Sequence, residues 1–186
     1  MWYHTNKQKP IRIIQTSAAR SGSTVLSNIL MAFFQPYEPI CFMGKSSYNE
    51  DLLRDNIVIK THDKKIDEWV EKFGNKYDLY FIISDRGDYE WDKYYQYNNV
   101  LFISFEDLLE NENNLLSTIV KNAYAKIKEL IPKKFMIYNR ESVSIQNGIN
   151  RINNMNIRYE KIKEKPFEFV DKYYQIHGHH RNNRKG

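Results

Sequence analysis

Four short apolar runs mark the chain, at residues 11–16, 56–60, 79–84 and 100–104. Each has the length of a strand and is continuous rather than alternating, the pattern of strands covered on both faces in a parallel sheet. Segments of helical period lie between them. Val25, Leu26, Ile29, Leu30, Phe33 and Phe34 share one face of a helix that opens at Ser23 or Thr24 and is closed by Pro36 and Pro39. Ile66, Trp69, Val70 and Phe73 recur at i, i+3, i+4 and i+7 and stop near Gly74. Further helices are predicted over about residues 115–130, ended by Pro132, and over 141–163. In the latter, Gly148 and the asparagines at 150, 153, 154 and 156 weaken the helical signal. Residues 35–50 read as an irregular surface excursion, and 50–54 as a short helix. Strand and helix in alternation predict an α/β fold of three layers: a central, mainly parallel sheet of four or five strands flanked by helices.

Composition narrows the picture only a little. A length of 186 residues suits one domain, 1–186, with a single core. Aromatics make up 15% of the chain, including 14 Tyr, which predicts an aromatic core and cleft lining. The net charge of +5 favours an anionic ligand. Cys41 is the single cysteine, so no internal disulfide can form. No window approaches membrane-spanning length, and residues 1–7 carry no apolar leader segment. These features predict a soluble, cytoplasmic protein with no membrane partner; they leave its oligomeric state open.

The chemistry concentrates at the ends of the predicted strands. After the first, the chain reads Thr16-Ser-Ala-Ala-Arg-Ser-Gly-Ser-Thr24 and enters a helix. Small residues, hydroxyls on Thr16, Ser17, Ser21, Ser23 and Thr24, and one glycine, Gly22, surround Arg20. Such a turn presents backbone N–H groups and a helix N-terminus to an anion, with Arg20 as a fixed cation. It looks like a phosphate-binding loop, yet Ser23 stands where the triphosphate-binding version carries lysine. The second strand ends in Lys60-Thr-His62. Ligand crevices in parallel α/β sheets lie at the carboxyl ends of the strands, so Lys60 and His62 share an edge with the Arg20 loop. Being two residues apart, both can point from one face of an extended backbone.

The third strand leads to Ser84-Asp-Arg-Gly-Asp88. There, either Asp85 holds magnesium, as in phosphate-loop kinases, or a polar turn aims Arg86 at a phosphate. In the fourth, Ser104 is an N-cap with Asp107 three residues on, and its acidic residues stabilise a helix start. Tyr37, Phe42, Tyr48, Trp91, Tyr94 and Tyr95 are candidates for an aromatic pocket or for the core. The basic tail, 178–186, suits a segment folding over an anion. His177, His179 and His180 lack a local cysteine or carboxylate, and no metal is expected.

Together these segments resemble the sulfotransferases that use 3′-phosphoadenosine 5′-phosphosulfate (PAPS), whose fold is P-loop-like. Arg20-Ser-Gly-Ser-Thr24 is similar to that family's 5′-phosphosulfate loop. Lys60-Thr-His62 is similar to the Lys-Thr-His of its cytosolic branch, in which the histidine is the catalytic base. Residues 82–88 stand where the family binds the 3′-phosphate, Phe105-Glu-Asp-Leu-Leu109 resembles its Tyr-Glu-Asp-Leu element, and Arg184-Lys-Gly186 resembles its closing Arg-Lys-Gly. The chain departs from the pattern at Ser84, where arginine is usual, at Arg86, where proline is usual, and at Asp92, where a serine is usual.

The resemblance implies sulfuryl transfer from PAPS to a hydroxyl of a small molecule or glycan, releasing 3′-phosphoadenosine 5′-phosphate (PAP). His62, Lys60 and Arg20 would be catalytic. Ser17, Arg20, Ser21, Gly22, Ser23, Thr24, Val25, Ser84, Arg86, Arg184, Lys185 and Gly186 would hold the cofactor. The alternatives are a magnesium-ATP kinase of nucleotides or small molecules, which the missing loop lysine disfavours, and a non-enzymatic nucleotide- or RNA-binding module. No aromatic RNA-binding strand signature supports the latter, and no nucleic-acid partner is expected.

Overall fold

In the computed structural model of the chain, residues 8–18, 21–44, 48–87, 89–110, 112, 114–155 and 169–177 are described. Their centre is a parallel sheet in which β1 (Ile11–Ser17) lies between β3 (Val58–Thr61) and β4 (Asp78–Asp85). Beyond β3 lies β2 (Cys41–Met43), and beyond β4 lies β5 (Val100–Ser104), giving the order β2-β3-β1-β4-β5. The chain leaves β1 towards the β3 side and leaves β4 towards the β5 side. The carboxyl ends of β1 and β4 therefore flank a topological switch point, where α/β sheets open a crevice.

The sheet's alternation sorts its side chains into two apolar layers. Ile11, Ile13, Val58, Ile82 and Ile103 pack with α1 (Ser23–Phe34), α4 (Leu116–Leu130) and α5 (Glu141–Met155). Ile14, Ile59, Phe81 and Ile83 pack on the other face with α2 (Glu50–Asp55), α3 (Ile66–Phe73) and the 3₁₀ segment Tyr89–Tyr94. This is the three-layer α/β architecture, with five parallel strands. Crossovers of the usual right hand require it: the β1–β2 connection moves one way along the sheet, and the β2–β3 and β3–β4 connections move the other. Among the described residues, no helix is long and apolar enough to cross a membrane.

Three details differ from expectation. Residues 35–50 are not wholly irregular, because Cys41, Phe42 and Met43 pair with Ile59, Lys60 and Thr61 as an edge strand. Three residues following two prolines carry no readable period, and the register is imposed by β3. The second predicted strand begins at Val58 rather than residue 56, because Asn56 ends α2, its amide donating to Leu52 O at 3.1 Å. A two-stranded antiparallel hairpin, β6 (Phe169–Asp171) and β7 (Ile176–His177), was not foreseen.

The helix predicted over 141–163 is present through Met155, and residues 156–163 lie outside the described ones. Gly148 does not weaken it there but marks a close helix crossing. A Cβ at that position would stand 2.7 Å from Val120 Cγ1 and 3.3 Å from Phe33 Cε1. Ser104 does accept from Asp107 N, at 3.1 Å, but the N-cap position belongs to Phe105 and the helix is a single 3₁₀ turn; Asp107 pairs with Lys126 at 2.7 Å.

Candidate functional site

The turn between β1 and α1 is shaped by Gly22, whose φ of 80° lies in the left-handed region. Phe105 and Leu108 close on it: a Cβ here would meet Leu108 Cδ1 at 3.0 Å and Phe105 Cδ2 at 3.3 Å. Both constraints select glycine. Gly22→Ala is therefore expected to destabilise the fold by roughly 1–2 kcal/mol, the usual penalty of a left-handed L-residue. An unchanged urea midpoint would contradict this.

Glycine offers no capping side chain, and the first turn of α1 carries no acidic residue. The first rung of the helix is Leu26 N to Gly22 O at 3.0 Å, so the amides of Ser23, Thr24 and Val25 precede the ladder. Ser21 ties the loop down, donating to Ala18 O at 2.7 Å and meeting Ser84 Oγ at 3.1 Å across the switch point. Ser84 is fully buried, and its hydroxyl lies against the loop from below.

Lys60 reaches the same turn from β3. It stands in register between Gln15 of β1 and Phe42 of β2, on the α1 face, and its Nζ donates to Thr24 Oγ1 at 3.0 Å. The residue is only 2% exposed, and among the described residues no carboxylate pairs with it. Burial pushes its amine down to about 7.

His62 follows the strand, half-buried, with Nδ1 3.0 Å from Ser17 O. A carbonyl only accepts, so Nδ1 carries the proton in neutral imidazole and Nε2 carries the lone pair. The segment is braced by Asp63, whose backbone N–H donates to Thr61 Oγ1 at 3.0 Å. Its carbonyl accepts from Thr16 Oγ1 at 2.5 Å, and its carboxylate accepts from Tyr48 OH at 3.0 Å and from the Lys65 amide at 3.0 Å. The structure thus gathers Ser17, Ser21, Gly22, Ser23, Thr24, Lys60 and His62 around one turn.

Arg86 lies beside this group, exposed, with its guanidinium carbon 3.6 Å above the Phe105 ring that abuts Gly22. Asp85 builds its own turn, accepting from Gly87 N at 3.0 Å and from Tyr95 OH at 2.9 Å. Arg20, Arg184, Lys185 and Gly186 lie outside the described residues, as does the whole segment 178–186.

Of the aromatic candidates, only Phe42 meets the site, edge-on to His62 with centroids 5.7 Å apart. Trp91 and Tyr94 are core residues, Tyr48 braces Asp63, and Tyr37 and Tyr95 are exposed.

Four features went unread in the sequence. Gln15 bridges Ser17 and Ser27, donating to the first at 3.0 Å and accepting from the second at 2.8 Å. A glutamine in a fully buried strand was the available signal. Asp63, Asn28 and the ring of Phe169, 6.2 Å from Phe42, are the others, and only tertiary contacts assign them. No protein-family model, no curated protein and no solved structure matches the chain.

Proposed function

We propose that this chain is a cytosolic sulfotransferase that moves the sulfuryl group of PAPS to a hydroxyl of a small molecule or glycan. The reading is carried by the convergence of Lys60 and His62 on the β1–α1 turn, each 3.0 Å from one of its atoms. The uncapped amides of Ser23, Thr24 and Val25 suit the 5′-phosphosulfate oxygens. Arg86, exposed and stacked on the Phe105 ring that abuts Gly22, would supply a guanidinium for a second phosphate.

In the reaction, the acceptor oxygen attacks sulfur in line while the bond from sulfur to the bridging phosphate oxygen breaks. His62 Nε2 takes the acceptor proton. The electron pair of the broken bond stays on the bridging oxygen, where Lys60 as ammonium, with Arg20, offsets the growing charge, and PAP leaves. An anion arriving beside Lys60 favours its charged form, so the group that is half neutral near pH 7 becomes a cation when the cofactor is in place.

The kinase alternative draws little support from Asp85, both of whose carboxylate oxygens accept hydrogen bonds from neighbouring protein groups. Thermal melting with PAP tests the reading. At a concentration 100-fold above its dissociation constant, PAP should raise the melting temperature by roughly 5–10 °C. ADP, with or without magnesium, should give clearly less. Equal or larger shifts with magnesium-ADP would replace the sulfotransferase with the kinase.

A further inference from the structure

Arg151 of α5 is 7% exposed, and burial lowers its pKa from the usual arginine value. The Asp171 carboxylate is near enough to favour its charge, but the guanidinium's hydrogen bonds to Asn28, Pro36 and Tyr173 all end on uncharged oxygens. Nε donates to Asn28 Oδ1 at 2.8 Å, one terminal nitrogen to Pro36 O at 3.4 Å, and the other to Tyr173 O at 3.2 Å. The guanidinium also lies over the rings of Tyr173 and Tyr174, 4.5 and 5.2 Å from their centroids. One buried cation thus joins α5, α1, the segment after α1 and the turn between β6 and β7. Two strands of three and two residues with an irregular register cannot hold a hairpin by themselves. The cluster around Arg151 supplies what they lack.

The hairpin held in this way touches both arms of the candidate site. Phe169 packs 6.2 Å from Phe42, Phe42 packs 5.7 Å from His62, and His177 lies 3.9 Å from Phe169. On the other arm, Asn28 Nδ2 donates to Tyr174 O at 3.0 Å and to Thr24 O at 2.8 Å, and Thr24 is the residue that Lys60 meets.

We infer that the β6–β7 hairpin is a wall of the site and that Arg151 is a positioning residue, fixing the His62 imidazole through the hairpin, Phe169 and Phe42. The inference rests on the proposed function only for what the imidazole does. Whether it is held by this route is decided separately.

Proton NMR of the imidazole resonances provides the test, since the chain has five histidines and a His62→Gln spectrum assigns the relevant one. In Arg151→Met, the His62 ring resonances should leave their wild-type positions, because the ring current of Phe42 on the imidazole changes with their separation. The indole N–H signals of Trp69 and Trp91, in the layer across the sheet, should stay where they are. Arg151→Lys keeps a charge but cannot span three acceptors and should give a smaller displacement. Phe169→Leu, which leaves the Arg151 cluster intact, should displace the His62 signals too.

A folded Arg151→Met with wild-type His62 resonances would overturn the inference. Should that variant not fold, unmoved His62 signals in Phe169→Leu would overturn it equally. A wild-type protein that fails to bind PAP would remove the sulfotransferase reading and leave this result standing.

Discussion

His62→Ala is expected to cut turnover about 100-fold or more, while PAP still binds with nearly wild-type affinity. The separation follows from geometry. Cofactor contacts are assigned to the α1 amides, Lys60 and the arginines, whereas the imidazole stands on the Ser17 carbonyl at the mouth of the turn. Removing it takes away the proton acceptor and leaves the anion cradle in place.

His62→Gln separates the base from a scaffold. Its side-chain amide can still donate to Ser17 O but has no basic nitrogen, so turnover should fall as far as in the alanine variant. Release of PAP from PAPS with a phenol as acceptor gives the rates, and isothermal titration with PAP gives the affinities. An alanine variant that no longer binds PAP would end the assignment of His62 as base.

Lys60→Met should weaken PAP binding about 10- to 100-fold, the size of one lost charge-assisted contact. It should also stabilise the free protein, on the order of 1–3 kcal/mol, because an amine buried with, among the described residues, one hydroxyl partner costs that much. A buried lysine that costs stability in this way is what the proposed anionic ligand would require.

The pH dependence has a definite sign. The folded-state pKa, about 7, lies below the unfolded value near 10.5, so between these limits the unfolded chain binds more protons. Wild-type stability, compared with Lys60→Met, should therefore rise from about pH 7 to pH 10.5 and run parallel below pH 7. Affinity for PAP moves the other way. As pH rises above 7 the free protein holds more neutral amine, binding must take up a proton, and the dissociation constant increases. Urea titrations of both proteins at pH 6, 8 and 10 check the first part; a wild-type curve that falls with pH relative to the variant would refute it.

Much of the fold was legible because parallel strands covered on both faces leave continuous apolar runs. β1, β4 and β5 were found on that signal, as were α1 and α3 on their helical period. β2 was not, since its three residues take their register from β3. The β6–β7 hairpin was equally silent, held by Arg151, 22 residues from its partner Tyr173, and by Asn28, 146 residues from Tyr174. Gly148 was read as a weakness because propensity is local, whereas the side chains of Val120 and Phe33 that require glycine there come from other helices.

The site divides in the same way. Gly22 and the hydroxyls around it, with Lys60 and His62, were legible as motifs at strand ends, where sheet topology puts ligands. Gln15 and Asp63 were not, because they support those motifs across strands instead of forming one.

Residue order alone determined the strand and helix periods, the central parallel sheet and the common edge shared by the β1–α1 turn and Lys60–His62. Tertiary structure decided the rest: the lowered pKa of Lys60, the proton on His62 Nδ1, and the packing that sets Phe42 against the imidazole. Periodicity is a property of neighbours along the chain. Desolvation and hydrogen-bond partnership depend on which distant segments exclude water and face the group, so they exist only once the layers close.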